Sequence, residues 1–262
     1  MELADRNVVV TGAASGIGRA FAERAAEERP RTLVLADLNL EAVEAVARET
    51  GAVAVRADVS READIQALVS RAQDAGGPID LFYSNAGVPG PGAGPEAPDA
   101  EWELTWQVNV MAHIWAARAL LPAMAERGEG YLVSTASAAG LLTQVSAAPY
   151  TVTKHAAVAL AEWIAITYAD SGVKVSVVCP LGVRTPMLEG ALEDGPGAAA
   201  LLADNVLEPS DVAEAVIAGV RDERFLILPH EKVAQYMALK GSRHDRWLSG
   251  MQDLVRRART DG

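Results

Sequence analysis

The segment Val8-Val9-Val10-Thr11-Gly12-Ala13-Ala14-Ser15-Gly16-Ile17-Gly18 carries a β-branched run through a glycine turn into a helical pattern. No other stretch restricts the fold so strongly. Glycine accepts the positive φ that a tight strand-to-helix turn demands, and it lets other groups approach the backbone closely. The chain then repeats the alternation. Residues 8–10, 32–36, 53–57, 79–83, 131–135, 173–178 and 225–228 read as about seven strands, aliphatic or β-branched and closed by Gly, Pro, Asp or Asn. Residues 17–28, 40–49, 62–75, 100–127, 148–170 and 210–220 read as helices. Strands that are apolar on both faces belong in a parallel sheet covered on both sides. The pattern predicts an α/β chain, a doubly wound parallel sheet of the Rossmann type. At 262 residues it forms one domain, with no second boundary in the sequence.

Bulk properties narrow the partners. Hydrophobic residues are 50% and charged residues 22% of the chain, ordinary for a folded globular protein. A formal net charge of −12 disfavours nucleic acid and anionic membrane as partners. It leaves room for an anionic cofactor at a helix N-terminus. The lone cysteine, Cys179, sits in an apolar strand and reads as an inert core residue. No apolar run is long enough to span a bilayer, and residues 1–6 lack the layout of a signal peptide. A cytoplasmic protein is expected.

Two segments break the rhythm. Val88-Pro89-Gly90-Pro91-Gly92-Ala93-Gly94-Pro95 follows a strand, so this loop falls at the carboxyl edge of the sheet, where ligands bind in such folds. Residues 187–207, rich in Ala, Gly and Leu, read as a substrate lid, with a plain surface insertion as the alternative. Residues 230–262 read as an added C-terminal helix anchored by Trp247 and Leu248, with Arg256, Arg257 and Arg259 near its end.

The glycine turn suits a dinucleotide. Gly12 permits the turn, while Ser15, Gly16, Ile17 and Gly18 open a helix whose N-terminus can hold a pyrophosphate. Asp37 ends the next strand about 20 residues on, the spacing of a ribose-binding carboxylate. It would repel a 2′-phosphate, which predicts NAD over NADP; a turn or N-cap aspartate is the competing reading. Leu38, not a base, follows it. Arg19 is the cation that would favour a phosphate, and its place in the helix start points it to solvent or the pyrophosphate.

Proton chemistry has its own candidates. Tyr150 and Lys154 are one helical turn apart and share a helix face. A phenol near pKa 10 is a poor base at neutral pH, and a nearby ammonium lowers its pKa. Ser137 follows a strand and is placed to donate to a substrate oxygen. A Tyr-x-x-x-Lys pair alone occurs often by chance. What raises its weight is the order of glycine turn, acidic strand end, Ser, Tyr and Lys in one alternating chain.

These motifs, with Asp58-Val59, Asn85-Ala86-Gly87 and Asn109, resemble those of the short-chain dehydrogenase/reductase family over residues 7–228. The resemblance implies hydride transfer between NAD and a secondary alcohol or ketone. It implies Asn109, Ser137, Tyr150 and Lys154 as the catalytic set, with Asn109 interrupting its helix and holding a water beyond Lys154. It also implies contacts of Asp58 and Val59 with adenine, of Asn85, Ala86 and Gly87 with the cofactor cleft, and of Pro180, Val183 and Thr185 with the nicotinamide end. Tyr150 and Lys154 would touch the cofactor as well. Ser84 stands where the family often has Asn, and Leu181 where it usually has Gly. A homotetramer or dimer is implied too, with Trp102, Trp106 and Trp115 as subunit contacts or core. Two other functions share these residues: a silent NAD-binding scaffold, and a lyase or epimerase with tightly held NAD. The four histidines show no metal-ligand spacing, so no metal is expected.

Overall fold

The computed structural model describes residues 1–193 and 206–260, with side chains described to 190 and from 206 to 257. Its centre is a fully parallel sheet of seven strands in the order β3-β2-β1-β4-β5-β6-β7. The strands are β1 (Asn7–Thr11), β2 (Thr32–Asp37), β3 (Val53–Arg56), β4 (Leu81–Ser84), β5 (Gly130–Thr135), β6 (Val173–Val178) and β7 (Leu226–Ile227). The doubly wound fold expected from the alternation is therefore present. The last strand keeps only two residues of the expected four, since it pairs with β6 alone at the sheet edge.

Helices α1 (Gly16–Glu27), α2 (Leu40–Thr50) and α3 (Glu62–Gly76) alternate with the first strands. The expected helix over residues 100–127 is α4 (Asp99–Trp106), a π turn over Gln107–Met111, then α5 (Ala112–Arg127). A short α6 (Ala139–Leu142) precedes α7 (Ala148–Thr167), which ends before the expected residue 170 in a 3₁₀ turn. Beyond β6 come α8 (Pro186–Glu193) and α9 (Pro209–Arg221). The C-terminal segment is two helices rather than one, α10 (Glu231–Ser242) and α11 (His244–Thr260). Most of the expected lid, residues 194–205, lies outside the described residues; so does the side chain of Arg259.

Each face of the sheet has its own core. Phe21, Leu35, Val43, Tyr83, Val212 and Val216 pack one face under α1, α2 and α9. Ile65, Leu68, Phe82, Leu120 and Met124 pack the other under α3 and α5. Trp115 joins that second core, whereas Trp106 is exposed. The order reverses between β1 and β4, so the helices that follow them leave on opposite faces and a crevice opens at their carboxyl ends.

Candidate active site

The crevice gathers residues from the ends of five strands. Gly12 follows β1, Asp37 ends β2, Asn85 follows β4, Ser137 follows β5 and Pro180 follows β6. The glycine turn is locked by contacts that leave no room for side chains. Gly12 has φ +65°, and a Cβ there would meet the Ala86 backbone at 2.8 Å. A Cβ on Gly18 would lie 2.1 Å from the Gly12 carbonyl oxygen. Gly16 has φ +53° and faces Thr185, whose methyl would be 3.0 Å from an added Cβ. The two ends of the crevice therefore touch at Gly16 and Thr185. Ser15 caps α1 without a side-chain hydrogen bond, and no acidic residue occupies the first turn. That helix end keeps its positive potential for an anion.

Thr11, which precedes the turn, carries a role the sequence reading missed. Its hydroxyl accepts the backbone N–H groups of Asn85 (3.0 Å) and Ala86 (3.2 Å). The Asn85 amide donates to the Thr11 carbonyl at 3.1 Å, and its Oδ1 lies 3.0 Å from the Thr135 hydroxyl. Asn85 thus ties β1, β4 and β5 together beside the crevice.

Asp37 is not a helix cap. Asn39 caps α2, accepting from Ala42 N–H at 3.1 Å. Each Asp37 carboxylate oxygen instead takes one backbone N–H, from Ala14 (3.0 Å) and Asn39 (3.0 Å). A carboxylate has about four lone-pair sites, so acceptor capacity is left on its exposed side. Arg19 is paired with Glu23 at 2.7 Å and Glu49 at 3.0 Å at the surface. Asp58 accepts from the Ser60 N–H (3.0 Å) and hydroxyl (2.6 Å) through one oxygen, and Val59 packs against the core.

At the other end, Lys154 is 3% exposed and donates to the Thr135 carbonyl at 3.0 Å. Its Nζ lies 5.5 Å from the centroid of the Tyr150 ring. Burial pushes the Lys154 pKa down to about 8, with Cys179 acting the other way. Burial raises the Tyr150 pKa, partly offset by the Ser137 hydroxyl. Ser137 is buried; its Oγ accepts from Ala139 N–H at 3.1 Å and lies 3.5 Å from the Pro180 carbonyl.

Asn109 sits fully buried in the π turn, so its helix is indeed interrupted. Its side chain is occupied: Oδ1 accepts from Val88 N–H at 3.0 Å, and Nδ2 donates to the Val88 carbonyl at 2.9 Å. It pins the start of the Pro/Gly loop. Behind the site, Cys179 is buried with its thiol pushed up to about 12, in keeping with an inert core residue. His155 turns back to the Thr151 carbonyl, 2.9 Å away.

The loop after β6 has a support that local sequence gave no sign of. Buried His230, at the start of α10, accepts the Leu181 N–H through Nδ1 at 3.1 Å across 49 residues. The Thr185 hydroxyl donates to the Val183 carbonyl at 3.2 Å and accepts from Leu188 N–H at 3.3 Å, joining that loop to α8. Leu181, Leu142, Val233, Met237 and Trp247 form a small apolar cluster beside Ala138, the neighbour of Ser137. Next to it opens a cleft of about 470 Å³ whose walls include Thr143, Val145, Trp247, Leu248, Met251 and Val255. Among the described residues no group of His, Cys, Asp or Glu is placed to hold a metal, and no helix is long and apolar enough to cross a membrane.

Comparison with known proteins agrees with this geometry. The family model for the short chain dehydrogenase matches residues 6–195. The chain is 37% identical over 235 residues to a 1-deoxy-11-beta-hydroxypentalenate dehydrogenase of Streptomyces exfoliatus, covering 87% of this chain and 84% of that one. A short chain dehydrogenase/reductase from Burkholderia phymatum, solved in complex with NAD, superposes with a TM-score of 0.85 at 31% identity, covering 94% of this chain and 96% of that one. A short-chain dehydrogenase from Sphingobium yanoikuyae in complex with NADPH gives a TM-score of 0.78 at 27% identity, with 91% and 93% covered. With the sheet order, the glycine turn and the Ser137, Tyr150 and Lys154 cluster all in place, this chain belongs to the short-chain dehydrogenase family.

Proposed function

We propose that this protein is an NAD-dependent dehydrogenase that interconverts a secondary alcohol and its ketone, with an apolar substrate. The observation that carries the reading is Tyr150 beside buried Lys154, in the same crevice as a glycine turn that excludes side chains. The crevice fits a dinucleotide: Gly12 and Gly18 leave backbone bare, and α1 presents an uncompensated N-terminus. Ser15, Gly16 and Ile17 lie at that N-terminus, Asp37 and Leu38 at the ribose end, and Asp58 and Val59 at the adenine end. Asn85, Ala86 and Gly87 line the middle. Pro180, Val183 and Thr185 hold the nicotinamide end. When bound, the nicotinamide supplies the hydride acceptor or donor.

The chain's own residues handle the proton. In the oxidising direction Tyr150, as phenolate, takes the proton from the substrate hydroxyl. Ser137 donates to the same oxygen and orients it. Lys154, held at Thr135, puts a positive charge beside the phenol ring. Asn109 keeps Val88 and the loop after it in place. In the reducing direction the neutral phenol returns the proton.

Asp37 is the basis of the NAD preference, and Arg19 is engaged by two carboxylates. Arg56 is the neighbour of Asp37 in register on β3, so both dinucleotides must be measured. Asp37→Asn keeps the shape and removes the charge. We expect the ratio of kcat/KM for NAD to that for NADP to fall by about tenfold, the size of one charge-assisted hydrogen bond. An unchanged ratio removes Asp37 from this role.

The apolar cleft along α11 supports the substrate class, since its volume falls within the range of about 300–1,000 Å³ typical of small-molecule sites. The related hydroxypentalenate dehydrogenase points the same way. The test of the function is NADH formation across a panel of secondary alcohols from short aliphatic to polycyclic. Turnover that rises with apolar bulk supports the reading; tight NAD binding with no turnover on any of them favours a silent scaffold. Leu248→Asp, at an exposed position of the cleft, should raise KM for polycyclic alcohols about tenfold and leave short ones unchanged. An equal effect on both classes means the cleft does not hold the substrate.

A further inference from the structure

We propose that the space between β4, β5, α5 and α7 is a site for one buried water, held by His113, Ser84 and Ser134, and that through it His113 is a positioning residue for Lys154. The second half rests on the role assigned to Lys154 above.

His113 lies on α5, one helical turn after Asn109, and is 4% exposed. Its Nδ1 is 3.1 Å from the Ser134 hydroxyl. Its Nε2 is buried without a partner. An orphaned buried ring nitrogen is costly, and such atoms are rare in folded proteins. Beside it is a cavity of about 10 Å³, whose lining includes His113, Ser84 and Ser134 and is otherwise aliphatic. That is room for one water, and three polar groups are within the two to four (roughly) that a buried water needs. Burial, with Lys154 nearby, pushes the His113 pKa down to about 3, so the ring is neutral. A neutral ring has one N–H and one lone pair. A water serves Nε2 in either tautomer, donating to it or accepting from it.

The connection to Lys154 runs along β5. Ser134 directly precedes Thr135, whose carbonyl receives the Lys154 ammonium at 3.0 Å. Ser84 and Ser134 are register partners in the sheet, so the water bridges the ends of β4 and β5 where they meet α5. The water adds a second polar link between the end of β5 and α5 beside the His113–Ser134 bond. His113 touches neither substrate nor cofactor; it acts by fixing the strand that holds Lys154.

The test has two arms. A high-resolution crystal structure of the intact protein should show one ordered water within hydrogen-bonding distance of His113 Nε2 and Ser84 Oγ. An empty cavity there overturns the water site. In the kinetic arm, His113→Phe should lower kcat/KM about fivefold, raise the dinucleotide KM and displace the alkaline limb of the pH profile, while His113→Gln, which can still bond Ser134 and the water, stays within about twofold of wild type. A His113→Phe protein with lower Tm but an unaltered pH profile and KM reduces His113 to a packing residue. Should that variant not fold, Ser84→Val displaces the water and leaves the His113–Ser134 bond, and the same profile decides. If Lys154→Met retains activity, the role of Lys154 falls, while the water arm stands or falls by its own density.

Discussion

Replacing Tyr150 by Phe is expected to lower turnover by about 10²–10⁴-fold, the range that a positioned acid or base contributes, and to leave dinucleotide affinity within a few-fold of wild type. The ring, its contact with the Lys154 chain and the packing of α7 all survive the change; only the hydroxyl is lost. The glycine turn and Asp37, to which the proposal assigns the binding, are at the other end of the crevice. A companion result is expected in the pH profile. Burial raises the Tyr150 pKa, so the phenolate needed for oxidation grows on the alkaline side, and kcat/KM for the alcohol should climb with pH. The reducing direction needs the protonated phenol and should be flat through neutral pH. Single-turnover kinetics on the variant with a good substrate check the first expectation. A variant that keeps more than a tenth of wild-type activity takes the proton-transfer role away from Tyr150.

Lys154→Met is expected to abolish most activity and yet stabilise the fold. The ammonium is almost fully buried, and burial pushes its pKa from 10.5 down to about 8. Below pH 8 the lysine is charged in both the folded and unfolded states, so the whole burial penalty weighs on the folded state at neutral pH. A shift of this size corresponds to about 3 kcal/mol. Losing the bond to the Thr135 carbonyl offsets about 1 kcal/mol of the gain. A net gain of about 2 kcal/mol raises Tm by about 5 °C for a chain of this length. The advantage should shrink as pH rises from 8 to 10.5, because the wild-type lysine then sheds its proton in the folded state first. Thermal unfolding of both proteins across that window checks the sign. A variant less stable than wild type at pH 7 would show that the ammonium is a structural tie rather than a strained functional group. Stability surrendered at a functional site is a common pattern.

The alternation of strand and helix, the glycine turn, the acid at the end of β2 and the Tyr150–Lys154 spacing were legible because each depends on residues near one another in the chain. Period, turn chemistry and a single helical pitch are local matters, whereas the order of the strands came from the structure. The break at Asn109 was anticipated only through the resemblance to relatives, since nothing in its neighbours announces a π turn. The division of the C-terminal segment at Arg243 had a local signal that was passed over: Gly241-Ser242 stands directly before the junction.

What only the tertiary structure decided is how the site groups are solvated and what they already hold. Asn109 spends its side chain on Val88, 21 residues away, and His230 reaches Leu181 across 49. Where α5 packs on β5, His113 keeps Ser134 on one ring nitrogen, has no partner on the other, and burial leaves the ring neutral. The sequence placed a phenol and an ammonium on one helix face and from that pair alone implied a lowered phenol pKa. In the folded chain burial raises that pKa, because desolvation is a property of everything packed around a group and not of one neighbour on its own helix.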